Sequence, residues 1–360
     1  MKIYKAAIIG LGPSGLAVNK ILFGDSSSEI IAFENNDINN RDNFFGFWLT
    51  DWMKPFESII EKKWHKWTIG DKDSNITHSS AEKPYCVISF KKWRNYCLET
   101  KNRLDIINKQ VVQYFPIQNY FKIITADKKE YYAEKIYDSR STKDKKGELL
   151  QHFFGIKITA ADNTFNEKKL TLMHFSNEKN ILHFIYVLPF SHNKALVEST
   201  VFSEDVFQTS WYREKIIEYL KLKNINEYKE EGSEQGVIPM FFAEEKKSPY
   251  TNIFNIGIRG GACKPSTGYA FSFLIKQIQL LKKTKNNYVN THNFLERKMD
   301  KIFINFLKNN NENGQSFIKL ASNLSGNEFQ SFMMGESNLL TKFKIIKSMP
   351  KLPFIKELFR

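Results

Sequence analysis

The stretch IIGLGPSGL, residues 8–16, decides the fold. Residues 3–9 read as a buried strand, and the residues after the turn predict a helix from about Ser14 to Phe23. A second apolar run, EIIAFE at 29–34, predicts the next strand, so the chain opens as a β–α–β unit. Gly10-Leu11-Gly12-Pro13-Ser14-Gly15 matches GxGxxG in the context that gives this motif meaning: strand before, helix after, and an acid, Glu34, about 20 residues on. Gly10 permits the tight turn, Gly12 lets backbone approach a pyrophosphate, and Gly15 lets helix pack on strand. The helix start, with Pro13 and Ser14, offers N–H groups and a positive dipole end to phosphates. Glu34 is expected to accept hydrogen bonds from adenosine ribose hydroxyls, and an acid there disfavours a 2′-phosphate.

Far along the chain lies a second glycine turn, NIGIRGGACKPSTGYAF at 255–271. A nicotinamide-only site needs no such partner. A flavin dinucleotide does, because a late strand and helix hold its ribityl chain and pyrimidine edge. Gly257, Gly260 and Gly261 would allow close backbone approach. Pro265 is read as ending the turn, with a helix from Ser266 whose first residues, Ser266, Thr267 and Gly268, aim N–H groups at the cofactor. YDSR at 137–140 ends an intermediate strand, where Asp138 marks a third, backbone contact. One FAD joining both turns is the expectation.

Outward from these turns, residues 44–70 alternate aromatic and polar residues like antiparallel strands, and 89–101 reads as helix. HFFGIKITA, LTLMHF, LHFIYVLPF and KALVESTVF, between 151 and 203, are four strand-like runs suggesting an antiparallel lobe. A helix near 210–222, a strand near 236–242 and helices over 266–283, 291–308 and most of the remainder follow. The expected organisation is α/β. A Rossmann-like FAD-binding domain spans 1–150 and returns at 246–290. A substrate lobe spans 151–245 and borrows strands from 44–70, and a helical, membrane-associating region covers 291–360. KKTKNN and KNNNENG read as the most mobile turns.

Composition narrows the function classes. The chain has 360 residues, 42% apolar, with three cysteines at no redox or metal spacing and seven scattered histidines. A reducing compartment and no metal site are expected. No run of about 18 apolar residues occurs and no signal peptide precedes the first strand, so a cytoplasmic location is expected. Net charge is +14. Two readings of it compete: attraction to anionic lipid or nucleic acid, and the codon bias that makes Lys, Asn, Ile and Phe abundant together. No nucleic-acid-binding pattern stands out. The tail LLTKFKIIKSMPKLPFIKELFR, 339–360, carries Lys342, Lys344, Lys347, Lys351 and Lys356 among apolar residues. It reads either as an interfacial membrane segment or as a packed helix with a solvated lysine face.

In its motifs the chain resembles the lycopene cyclases, in particular the bacterial and plant-type β-cyclases, flavoproteins with a fold like p-hydroxybenzoate hydroxylase and geranylgeranyl reductase. The matching blocks run in order along nearly the whole chain: GLGPSGL, FGFW (45–48), YDSR, FGIKI (154–158), YVLPFSHNKALVEST (186–200), EQGVIPM (234–240), GIRGGACKPSTGYAF (257–271) and SMPKLPF (348–354). KPSTGYAF and LVEST are the specific ones. Many relatives of the fold carry Gly-Asp at the late turn; here Ile258 and Arg259 follow Gly257, as in the cyclases. Met173-His174-Phe175 stands where family members often have Met-Asp-Phe.

The resemblance implies conversion of lycopene and related linear carotenes to β-carotene by way of γ-carotene. An acid protonates the terminal C1=C2 bond, the C5=C6 bond closes the ring, and C6 loses a proton. It implies reduced FAD, with NAD(P)H as electron donor, and peripheral attachment to the inner face of the membrane beside other carotenoid enzymes. An alkene-protonating acid must stay neutral near pH 7, which burial in an apolar pocket achieves. Glu198, in LVEST, falls at the family's acidic motif, and Glu234 is the second candidate. Phe45, Phe47, Trp48, Phe153, Phe154 and Tyr186 could face a cation. The rival reading is a redox flavoenzyme on the same fold, a reductase or hydroxylase acting on an isoprenoid.

Overall fold

Strand β2 (Ala6–Ile9) is buried on both faces, as a central strand of a parallel sheet must be. It lies third in a parallel five-stranded sheet, between β13 (Ile136–Asp138) and β3 (Glu29–Phe33), with β19 (Ile253–Asn255) and β9 (Arg103–Ile107) outermost. The computed structural model describes residues 1–35, 41–140, 147–179, 181–242, 248, 250–309 and 314–349. The predicted turn at 308–314 and the end of the basic tail, with Lys351 and Lys356, therefore fall largely outside the described residues.

The N-terminal run differs from the single strand expected. Residues β1 (Ile3–Tyr4) pair instead with β12 (Glu130–Ala133), in a four-stranded sheet completed by β11 (Tyr120–Thr125) and β10 (Val111–Ile117). The stretch 131–140 is likewise divided between two sheets. Each short run serves both layers, which apolar patterning alone cannot reveal. Helix α1 (Pro13–Ala17) follows the first glycine turn and widens to π geometry over Val18–Phe23.

The second large element is a seven-stranded sheet in the order β18 (Tyr228–Pro239), β14 (Leu150–Ala160), β17 (Lys194–Ser203), β16 (Leu182–Pro189), β15 (Lys169–Phe175), β6 (Lys66–Gly70) and β7 (Asn75–Ser79). All its pairs are antiparallel except β15 with β6. Helix α3 (Thr209–Leu222) covers one face, packing its Ile216 into a cluster with Ile156 and Val197 of the sheet. Strands β4 (Phe44–Trp48) and β5 (Lys62–Trp64) flank β8 (Tyr85–Ser89) in a small third layer, and β8 runs into α2 (Phe90–Leu98), capped by Ser89. Strand β18 starts eight residues before the predicted position at 236. Its charged edge, Lys229 to Glu231, reads as loop but is the solvent side of an edge strand.

The remainder is helical: α4 (Phe271–Thr284), α5 (Phe294–Asn309), α6 (Gly314–Ser322), α7 (Gly326–Met333) and α8 (Leu339–Ser348). Helix α4 begins at Phe271, not Ser266. Residues 264–268 form a tight turn in which Gly268 N donates to Lys264 O at 2.9 Å. Among the described residues, no helix is long and apolar enough to cross a membrane.

Candidate active site

The two distant glycine turns meet. Gly257 has φ +64°, and a Cβ there would overlap Ser14 Oγ of the first turn. Gly10 has φ +88°, and a side chain on it would strike Ser139 Oγ, which donates to Gly10 O at 2.9 Å. Gly15 lies against Gly10 O, the close helix–strand approach expected of it. Gly12 is different: the nearest atom to its missing Cβ is Arg41 Nη1 at 3.6 Å, and it faces the cavity. Gln277 of α4 clamps the late turn, accepting from Gly257 N at 2.7 Å and donating to Gly260 O at 2.8 Å. Gly261, at φ +74°, has open space on its Cβ side. Gly268, at φ +69°, is backed by Gln151, whose buried Oε1 has no hydrogen-bond partner among the described residues.

Other predicted contact residues are committed elsewhere. Glu34 accepts from Leu11 N and Asn35 N, both at 2.9 Å, and pairs with Arg41 at 3.3 Å, so it braces the first turn. Asp138 is fully buried and bound by Arg140 at 2.7 Å and Tyr114 at 3.2 Å; its neighbour Ser139 lines the cavity instead. Ser266 donates to Asp300, as does Lys264, tying Pro265 and Ser266 to α5 rather than to the cavity. Of that turn, Thr267, Gly268 and Tyr269 reach the cavity wall.

The cavity has a volume of about 690 Å³ and runs from Gly12 and Pro13 to the inner face of the seven-stranded sheet. On that face Tyr186, Glu198, Gly155 and Glu234 stand in register on four adjacent strands, β16, β17, β14 and β18. Directly paired residues of antiparallel strands project on one side. The two carboxylates are therefore two strands apart, roughly 10 Å at the backbone, with only a glycine between them. Glu198 Oε1 accepts from Thr200 Oγ1 at 2.7 Å, and Glu234 Oε2 from Phe44 N at 3.0 Å. Burial pushes the Glu198 carboxyl up to about 7. Burial, and then the charge of Glu198, pushes Glu234 up to about 8. Near neutrality the pair therefore retains protons inside an apolar chamber, the property of a general acid for a poorly basic substrate.

Aromatic side chains wall this chamber. Phe45 stacks on Phe271 with centroids 4.5 Å apart. Tyr186 donates to the Tyr85 hydroxyl at 3.0 Å, and Gly46 is required there because a Cβ would press on both hydroxyls. Burial holds the phenols of Tyr85, Tyr186 and Tyr269 well above their usual range, so they remain neutral. Phe153 lines the cavity with Phe45, while Phe47 and Trp48 are buried beneath it and Phe154 points to the α3 side. His174 is also off the cavity, its ring 5.1 Å from Tyr219, while Met173 lines it. Arg41, Ser139, Gln151, Tyr85 and Tyr269 were not singled out by sequence. Tyr269 lies in the KPSTGYAF block and could have been; Arg41, in NNRDN, has no local signal. Among the described residues, no group of three metal-binding side chains converges.

Comparison with known proteins places this geometry. The family model described as lycopene cyclase protein matches residues 6–358. No curated protein sequence matches the chain. Several solved structures share the fold at low identity. A geranylgeranyl bacteriochlorophyll reductase-like protein from Thermoplasma acidophilum superposes with a TM-score of 0.65 at 9% identity, over 100% of this chain and 99% of that one. A variant of HpxO from Klebsiella pneumoniae, complexed with FAD, gives 0.58 at 10% identity, over 97% and 100%. The p-nitrophenol 4-monooxygenase of Pseudomonas putida gives 0.57 at 11%, over 99% and 98%.

Proposed function

The chain belongs to the lycopene cyclase family, and on that premise we propose that it closes the ψ-ends of lycopene into β-rings, giving β-carotene by way of γ-carotene. The observation that carries this reading is the carboxyl row: Glu198 and Glu234 facing one aromatic-walled cavity across Gly155, with burial holding both in the neutral form to about 7 and about 8. The reaction needs one proton delivered and one removed, with no net change of electrons.

Glu198 delivers its proton to C2 of the terminal C1=C2 bond. The C5=C6 bond then attacks the cation at C1, the ring closes, and the charge moves to C5. The Glu198 carboxylate takes the proton from C6 and is restored. Glu234, the weaker acid, keeps its proton, so a second negative charge does not oppose ionisation of Glu198. Thr200 fixes one Glu198 oxygen and Phe44 N fixes one of Glu234. The faces of Phe45 and Tyr186 are expected to stabilise the cation by about 0.5–2 kcal/mol each.

The residues fit FAD. Gly12 leaves its Cβ side open beside the Arg41 guanidinium, as a pyrophosphate requires, and the orphaned Gln151 Oε1 behind Gly268 can accept from a ring N–H. Reduced FAD, regenerated with NAD(P)H, supplies electron density beside the substrate cation when bound. Because the substrate is a hydrocarbon, the proposed place of work is the inner face of the membrane.

Expression in a bacterial host that accumulates lycopene, with pigments separated by chromatography, tests the reading. Conversion to β-carotene that is lost in Glu198→Gln is expected. Unchanged lycopene beside a flavin-loaded protein would sink it, and product formation matched by NAD(P)H consumption would favour a redox flavoenzyme.

A further inference from the structure

Helix α8 is turned inside out. Thr341, Lys342, Ile345 and Ser348 are buried, while Leu339, Leu340, Phe343 and Ile346 are 77%, 65%, 65% and 48% exposed. The four exposed residues fall at i, i+1, i+4 and i+7, a single helical face. This rotation is fixed by charge. Lys342 Nζ pairs with Glu296 at 2.6 Å and donates to Ser337 O at 2.6 Å. Glu296 in turn lies 3.7 Å from Lys264, which is fully buried and paired with Asp300. Withdrawing a buried ammonium from its partner costs about 3–5 kcal/mol, so α8 cannot roll to hide its apolar face. The same Lys342–Glu296 contact ties the first turn of α5 to α8, and on that turn Phe294 and Leu295 are also exposed, 73% and 42%.

Lysines frame this surface. Lys347 on α8 and Lys298 and Lys301 on α5 are exposed, and Lys298 Nζ lies 5.1 Å from the Phe294 ring. Projecting Leu and Phe with a rim of lysines matches the headgroup boundary of an anionic bilayer. A second copy of a chain carrying a net charge of +14 would instead bring like charges together.

We propose that the outward face of α8, with the first turn of α5, is a membrane-docking surface that seats in an anionic bilayer interface. The inference rests on the membrane location proposed above and names the surface that makes the contact; neither the face nor its lysine rim belongs to the catalytic cavity, so loss of vesicle binding and loss of cyclisation are separate outcomes. The ion pairs from Lys342 through Glu296 and Lys264 link this surface to the turn that carries Thr267 and Gly268.

The test is sedimentation of the whole chain with sucrose-loaded vesicles of phosphatidylcholine, with or without phosphatidylglycerol, and no carotene present. The native chain is expected to bind the phosphatidylglycerol vesicles preferentially. The double variant Leu340→Ser with Phe343→Ser should need at least about tenfold more lipid for half-binding. Leu222→Ser, an exposed apolar residue at the end of α3, should bind like the native chain. Failure of the native chain to bind, or equal binding by the double variant, would overturn the proposal. So would a concentration-dependent native dimer that the double variant abolishes, which would assign the face to a second copy.

Discussion

Replacing Glu198 by Gln is expected to make stability less sensitive to pH, in a direction that the buried carboxyl dictates. In the folded chain that carboxyl titrates at about 7 against an ordinary 4.5. A raised value means the folded state holds the proton more tightly, so the contribution to stability is complete below 4.5. It is lost as pH rises from there through 7. At 1.36 kcal/mol per unit, the native chain loses about 3 kcal/mol across that window through this group alone. Gln has nearly the same shape and can still accept from Thr200 Oγ1, but it has nothing to ionise. Urea unfolding of both proteins at pH 5 and pH 8.5 should therefore show the variant gaining about 2.5 kcal/mol on the native chain between the two conditions, since part of the loss is already complete at pH 5. The buried histidines act oppositely. Burial lowers His152, His174 and His292 to about 4 and His183 to about 3, so their contribution is lost as pH falls below 6.5. They are common to both proteins and cancel in the difference. A stability gap that stays constant with pH would refute the claim that Glu198 is held neutral.

Three further outcomes are expected. Gly257→Ala must place a Cβ against Ser14 Oγ at φ +64°; flavin content by absorbance should fall sharply, with stability reduced by about 1–2 kcal/mol from the backbone alone. Gly155→Val fills the gap between the two carboxyls and presses on Leu196 and Glu198; cyclisation measured by pigment yield should drop at least about tenfold while flavin binding is retained. Lys264→Met leaves Asp300 and Glu296 without their shared cation, and urea unfolding should report a loss of about 3–5 kcal/mol.

The first glycine turn was legible because its requirements are local: a left-handed Gly10, an open Gly12 and a close approach at Gly15 are all set within one strand–turn–helix. The late turn was legible as a glycine turn but not in detail. Pro265-Ser266-Thr267 looks like a helix start, and only the tertiary bonds of Lys264 and Ser266 to Asp300 hold it as a tight turn. Glu198 could be picked from an apolar run, whereas its relation to Glu234 depends on strand register through Gly155, which spacing along the chain does not encode. Asp138 was legible as a strand end, whereas the pairing of its carboxyl with Arg140, two residues on, was not. Arg41 left no mark in the sequence because its place beside Gly12 comes from packing alone. The tail composition suggested an amphipathic helix, but which face turns inward is decided by Glu296 on another helix.

The most direct measurement is cyclisation of lycopene by the purified chain with reduced FAD in heavy water, with the product mass read alongside NAD(P)H consumption. In a first turnover by chain equilibrated with heavy water, so that the Glu198 carboxyl carries deuterium before it meets the substrate, delivery to C2 and removal of protium from C6 predict one deuterium retained in the ring formed and no stoichiometric loss of NAD(P)H. Rings formed without deuterium, or one NAD(P)H oxidised per ring, would contradict an acid–base cyclisation at Glu198.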